Sequence, residues 1–128
     1  MALKVELKPG ERVIIGDCVI TNSDQRARFL IEGDTPILRE KDILTADAAN
    51  TPIKRIYLCI QMMYLENDIA KYQDMYFEFV KDVLAAMPSS RKQIEAASNH
   101  ILSGSFYKAL KDIRKLMLRE EELLQKGS

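Results

Sequence analysis

TPIKRIYLCIQMMYL, residues 51–65, is the stretch whose reading decides the fold of this chain. Thr51 is a residue type that caps helices, since its hydroxyl can accept from a free first-turn amide, and Pro52 suits the first helical position because it has no N–H to strand there. Behind them Ile53, Ile56, Tyr57, Ile60 and Tyr64 recur three and four residues apart, which is one face of a helix. Leu58, Cys59, Met62 and Met63 carry the apolar character around the cylinder. The spacing therefore predicts a central helix buried on several sides.

Toward the N-terminus the apolar period changes to two. Leu3, Val5 and Leu7 alternate with Lys4, Glu6 and Lys8, as in a strand with one face on a core. Pro9-Gly10 supplies a turn, Arg12 to Ile20 is a β-branched run broken at Gly16-Asp17, and Asn22-Ser23-Asp24 makes the next turn. Arg26 to Glu32 and Pro36 to Arg39 read as further strands. Toward the C-terminus, Asn67-Asp68 can end the central helix and cap another. There Tyr72, Met75, Tyr76, Phe79, Val80, Val83, Leu84 and Met87 form a stripe that Pro88 ends. Ser90 and Gln93 match a capping box for a shorter helix through Ile94, Ala97 and Ile101, and Gly104 fits the position just past its end. A last helix starts near Ser105 with Phe106, Leu110, Ile113, Met117 and Leu124 facing inward, and Gln125 to Ser128 are expected to fray. The fold class is α+β. An antiparallel β unit of about five strands spans residues 1–45, and about four helices span residues 51–126, the two expected to share one core.

Composition narrows the function. Nineteen basic and nineteen acidic residues give a formal net charge of zero, so the chain as a whole lacks the basic footprint of a nucleic-acid binder, and any such contact must use local patches. No apolar run approaches the roughly 20 residues that span a bilayer, and Met1 to Lys8 does not read as a signal peptide, so a soluble, cytoplasmic protein without membrane contact is expected. Cys18 and Cys59 are far apart and His100 is the sole histidine, which leaves no metal-ligand spacing and predicts buried, reduced thiols. Glu120, Glu121 and Glu122 read as a solvated run. No nucleophile elbow or phosphate loop occurs, so neither cofactor, metal nor catalytic residue is expected.

Four stretches together resemble the FlbT family: LKVELKPGERVIIG at 3–16, ILREKDIL at 37–44, TPIKRIYLCIQMMYL at 51–65 and FYKALKDIRKLM at 106–117. The resemblance implies a regulator without chemistry of its own that associates with the 5′ leader of flagellin messenger RNA and promotes its decay. A shorter resemblance, through PGERVIIGD at 9–17 and ILREKDI at 37–43, is to the β framework of the CsrA family of RNA-binding regulators. That one implies an RNA surface using Arg39 and the first strand, Lys4 to Lys8. The chain departs from the CsrA pattern at Leu7, where a basic residue is usual, and at Leu38, where a histidine is usual. It also implies a homodimer through the edges of the β unit.

The candidate RNA-binding residues are Lys4, Lys8, Arg12, Arg26, Arg28 and Arg39 on the β unit, with Lys54 and Arg55 on the central helix. Arg26 and Arg28 lie two apart and project from one side of a strand. An ordinary solvated sheet face, with Glu11, Asp24 and Glu40 nearby, is the other reading of the β-unit group. Phe29 is the sole aromatic of that half and reads as a core residue, which argues against base stacking there. Lys54 and Arg55 oppose the helix dipole at a cost of about 0.3–1 kcal/mol, so either a partner anion or a local carboxylate is expected near them. The competing function is a protein-binding adaptor for flagellin or a flagellar chaperone. It would use Leu58 and Met62 on the central helix and the basic ridge Lys108, Lys111 and Lys115 on the last one, a ridge that also reads as a solvated face.

Overall fold

The computed structural model describes residues 2–126 and falls into two compact units that meet in sequence between Ile43 and Leu44. In the first unit the strands are β1 (Ala2–Leu7), β2 (Arg12–Ile15), β3 (Cys18–Thr21), β4 (Ala27–Glu32) and β5 (Ile37–Arg39). They form two antiparallel sheets, β1–β4 and β3–β2–β5. The turns follow from their residues. Pro9-Gly10 makes a reverse turn in which Gly10 takes φ +76° and the Glu11 N–H donates to the Lys8 carbonyl at 3.0 Å. Gly16 at φ +61° opens the two-residue β2–β3 hairpin, and a Cβ there would lie 2.8 Å from Thr35 Cγ2.

Asn22 ties these turns together. Its side-chain amide donates to the carbonyls of Leu7, Lys8 and Gln25 at 3.0, 3.0 and 2.6 Å. Its own N–H donates to Glu11, and its carbonyl accepts from Gly10. Val5, Leu7 and Val13 are buried in this unit, with Ile15, Ile31 and Ile37 packed against them.

The second unit contains α1 (Pro52–Glu66), α2 (Ile69–Ala86), α3 (Arg91–Leu102) and α4 (Phe106–Lys126). Five antiparallel strands followed by four helices is the expected α+β order. Thr51 caps α1 by accepting from the Lys54 N–H at 3.2 Å. Ile53, Ile56, Tyr57, Cys59, Ile60, Gln61 and Met63 are buried along α1, so it is enclosed on several sides. Asn67 ends it in the left-handed region, φ 51° and ψ 45°, and the carboxylate of Asp68 caps α2 through the Lys71 N–H at 3.1 Å. At the end of α3 the Gly104 N–H donates to Ile101 and the Ser105 N–H to His100, with Gly104 at φ +77°. That pair of bonds is a Schellman motif, and glycine adopts its geometry without a Cβ clash.

Three expectations are corrected. Ser90 does not cap α3, because Pro88–Ser90 form a single 3-10 turn and the Ser90 hydroxyl donates back to the Met87 carbonyl at 2.7 Å. Of the α2 stripe only Tyr76 and Val83 are fully buried; Tyr72, Phe79, Val80, Leu84 and Met87 are partly buried, and Met75 is half exposed. Leu124 is 63% exposed, and Ala109 and Leu116 complete the buried face of α4 instead. With 21 residues α4 is about 31 Å long and its neighbour α3, with 12, about 18 Å, so the far end of α4 outruns that partner. The helix continues through Gln125 and Lys126, and Gly127 and Ser128 lie outside the described residues.

Candidate nucleic-acid interface

The β1–β4 register sorts the side chains of this sheet. Val5 stands opposite Phe29 and Leu7 opposite Ala27 on the core face, while Lys4 stands opposite Leu30 and Glu6 opposite Arg28 on the other. From β5, the Arg39 guanidinium donates to the Lys4 carbonyl at 3.3 Å. Two shallow depressions flank this contact. One, of about 290 Å³, is lined by Lys8, Arg26, Arg39 and Lys41 together with Glu6, Leu7 and Glu11. The other, of about 470 Å³, is lined by Lys4, Arg28, Leu30 and Arg39 together with Val5, Glu6 and Phe29. Lys4, Lys8, Arg26, Arg28 and Arg39 are thus brought together, with Arg39 common to both depressions.

Arg12 lines neither depression and pairs instead with Glu40 at 3.1 Å. Lys41 joins the group although periodicity gave no signal for it. Its position two residues beyond Arg39, in the 3-10 turn Glu40–Asp42, was the available cue.

Glu6 sets the electrostatics of this face. It meets Arg26 at 2.6 Å and Arg28 at 3.9 Å. These pairs are exposed, and such pairs contribute little to stability, about 0–1 kcal/mol, so a phosphate could replace the carboxylate at small cost. Residues 1–43 hold seven Lys or Arg against eight Asp or Glu, so the cationic character lies in the local arrangement and not in the charge of the unit.

Phe29 corrects another expectation: it lies on the core face yet is 42% exposed, because β4 has a strand on one side alone among the described residues. Cys18 is also exposed, against the expectation of two buried thiols, because β3 is the outer strand of its sheet. Its thiol donates to the Asp17 carboxylate, which raises its pKa. Cys59 is buried, and burial pushes its thiol up to about 11.

Lys54 and Arg55 belong to the helical unit. There the Glu120 carboxylate accepts from the Thr51 hydroxyl at 2.7 Å, which puts a local negative charge at the α1 N-terminus. Lys54 Nζ reaches Asn50 Oδ1 at 3.5 Å. Leu58 and Met62 are partly buried on α1. Lys108, Lys111 and Lys115 line a third depression, of about 480 Å³, with Arg114, Leu118 and the His100–Asp112 pair, whose Nδ1 and Oδ2 are 2.6 Å apart. Among the described residues no group of His, Cys, Asp or Glu is placed to hold a metal ion, and no helix is long and apolar enough to cross a membrane.

Comparison with known proteins gives a consistent picture. The family model described as flagellar protein FlbT matches residues 3–124. A protein of Rhodopseudomonas palustris named as a probable flagellum biosynthesis repressor protein FlbT is 67% identical over 126 residues, covering 98% of this chain and all of the relative. A probable FlbT 1 of Bradyrhizobium diazoefficiens is 57% identical over 96% of this chain and 85% of its own length. The flagellum biosynthesis repressor protein FlbT of Caulobacter vibrioides is 36% identical over 97% of this chain and 90% of its own. No solved structure matches the chain. The family match across nearly all of the sequence and these identities agree, and the chain belongs to the FlbT family of flagellar proteins.

Proposed function

We propose that the protein is a cytoplasmic, post-transcriptional repressor of flagellum biosynthesis that binds the 5′ leader of flagellin messenger RNA through its β unit and promotes the decay of that message. Relatives similar along the whole chain are named as repressors of flagellum biosynthesis, which supports the regulatory half of this reading. The observation that carries the RNA half is the convergence of Lys8, Arg26, Arg39 and Lys41 on one depression beside a second one lined by Lys4 and Arg28. Cations at a groove can follow a single-stranded backbone, and RNA leaders present unpaired segments to such surfaces. Promotion of decay then needs no catalytic group here, because a bound regulator acts by changing which parts of the leader a nuclease meets.

The test is binding of the purified protein to labelled leader RNA across a salt series. With Glu6 holding Arg26 and Arg28, few phosphates are contacted, so the log–log salt slope should be about −2 to −3, at roughly −0.7 per contact on a single strand. Arg39→Ala and Lys8→Ala should weaken binding while leaving the fold intact. Glu6→Gln should tighten it, because the substitution frees two arginines. RNA that is ignored even at low salt, or Glu6→Gln without effect, would sink the reading.

A second reading is favoured by the depression on α4, where Lys108, Lys111 and Lys115 surround the exposed Leu118. In it the helical unit grips flagellin or a flagellar chaperone and the effect on the message is indirect. Lys111→Glu with Lys115→Glu would then abolish repression while leader binding stays unchanged.

A further inference from the structure

Leu30 is the most exposed large apolar side chain of the β unit among the described residues, at 66%. The β1–β4 register sets it opposite Lys4, and Arg28, two positions back on β4, shares its face. Lys4, Arg28 and Leu30 line the depression of about 470 Å³ together with Arg39, a volume within the range of small-ligand sites. The adjoining depression differs in kind. It has Lys8, Arg26, Arg39 and Lys41, and its one apolar member, Leu7, is buried. An apolar side chain held among cations complements a ligand that joins a flat, weakly hydrated face to negative charge, and a nucleotide is such a ligand. Arg28 adds a second contact of the same kind. Its side chain is 84% exposed and stands 3.9 Å from Glu6, so the guanidinium plane is loosely tethered. Such planes stack on splayed-out bases. Phe29 does not share this role, because it lies on the opposite face of β4 with Val5 as its partner in register.

We infer that the 470 Å³ depression is a subsite for one unpaired base of the RNA, packed on Leu30 and stacked with the guanidinium of Arg28, while flanking phosphates pass by way of Arg39 into the second depression. The subsite rests on the leader-binding reading and adds what charge alone does not supply, a requirement for a single strand. A base within a duplex has both faces covered by its neighbours, so this surface discriminates against duplex that a purely cationic groove would hold. Every base has a π-face, so the subsite selects for an open base and not for a sequence. An acidic protein segment would meet the cations but brings no planar group for Arg28.

Labelled single-stranded segments of the leader, each with one base replaced by an abasic sugar, test this against the purified full chain. Wild type should lose about fivefold or more in affinity at one position. Leu30→Ala should lose about as much on the unmodified RNA and little further at that position, because the two changes remove the same contact. The log–log salt slope should not move, since no phosphate contact is touched. Leu30→Tyr should restore binding. Arg28→Lys, which keeps the charge and removes the plane, should weaken it by about threefold or more. Both residues are exposed, and circular dichroism should show the fold retained. The segment annealed to its complement should compete poorly. Binding that needs Arg39 yet is indifferent to Leu30→Ala, to Arg28→Lys and to every abasic position overturns the subsite and leaves the leader-binding reading standing. Losses that simply add do the same. Leader RNA ignored at low salt sinks both. If Leu30→Ala relieves repression in cells while RNA affinity is unchanged, a protein covers this face and the subsite is wrong.

Discussion

Gln61 sits amid the apolar run of α1 and is 4% exposed. Its side-chain amide accepts from the Leu44 N–H at 2.8 Å and donates to the Leu44 carbonyl at 2.9 Å, closing both backbone groups of the segment that leads into the helices. Gln61→Leu keeps the volume and strands two polar groups, at about 1–3 kcal/mol each; urea unfolding should show the midpoint falling accordingly. The thiols make a second prediction. Burial pushes the Cys59 thiol up to about 11 from its ordinary value of 9.0, so its proton stays on in the native state after an unfolded chain would lose it. Its contribution to stability is complete below about pH 9 and declines as pH rises from 9 to 11. Cys18 should react with a thiol reagent in the native protein, slowed by Asp17, and Cys59 only on unfolding. A native protein reacting at both thiols at equal rates would contradict this. Burial of Cys59 was expected from the sequence, but the Gln61 contact was not legible from spacing, because Gln61 and Leu44 are 17 residues apart and no local pattern links them.

Among the elements, the signals that worked were those whose physics is local. Thr51-Pro52 and Asn67-Asp68 could be read because a cap needs only its own turn. Gly104 could be read for the same reason, and Gly104→Ala should destabilise by about 1–2 kcal/mol through the left-handed backbone alone, since a Cβ there meets nothing within 4 Å. Thermal unfolding of that variant checks it, and Gly104→Asn should recover part of the loss. Ser90 misled because Pro88 starts a turn that offers the hydroxyl the Met87 carbonyl in place of a helix amide. The stripe on α2 was found, but periodicity shows which side of a helix is apolar and not how much of it a neighbour covers. Phe29 was placed on the correct face for the same reason, and its exposure depends on a strand that β4 lacks.

At the scale of the whole molecule, neutrality and the proposed RNA contact are compatible because the cations are clustered without being in excess. The resemblance supplied the candidate surface, and the fold brought five of the six candidate cations of the β unit to the two depressions, leaving Arg12 on Glu40. What composition could not show was Glu6 between two arginines, a feature of register. Asn22 carries a different consequence, one of time. Asparagine followed by a small residue such as Ser23 is prone to lose its amide as a protein ages, and here that amide holds three carbonyls and thereby joins the turns of the β unit. Hydrolysis would set a carboxylate against those three oxygens. The same contacts that assemble the unit thus shield its most perishable side chain, and once the amide is lost they turn to repulsion, so the working life of the β unit is tied to one bond in residue 22.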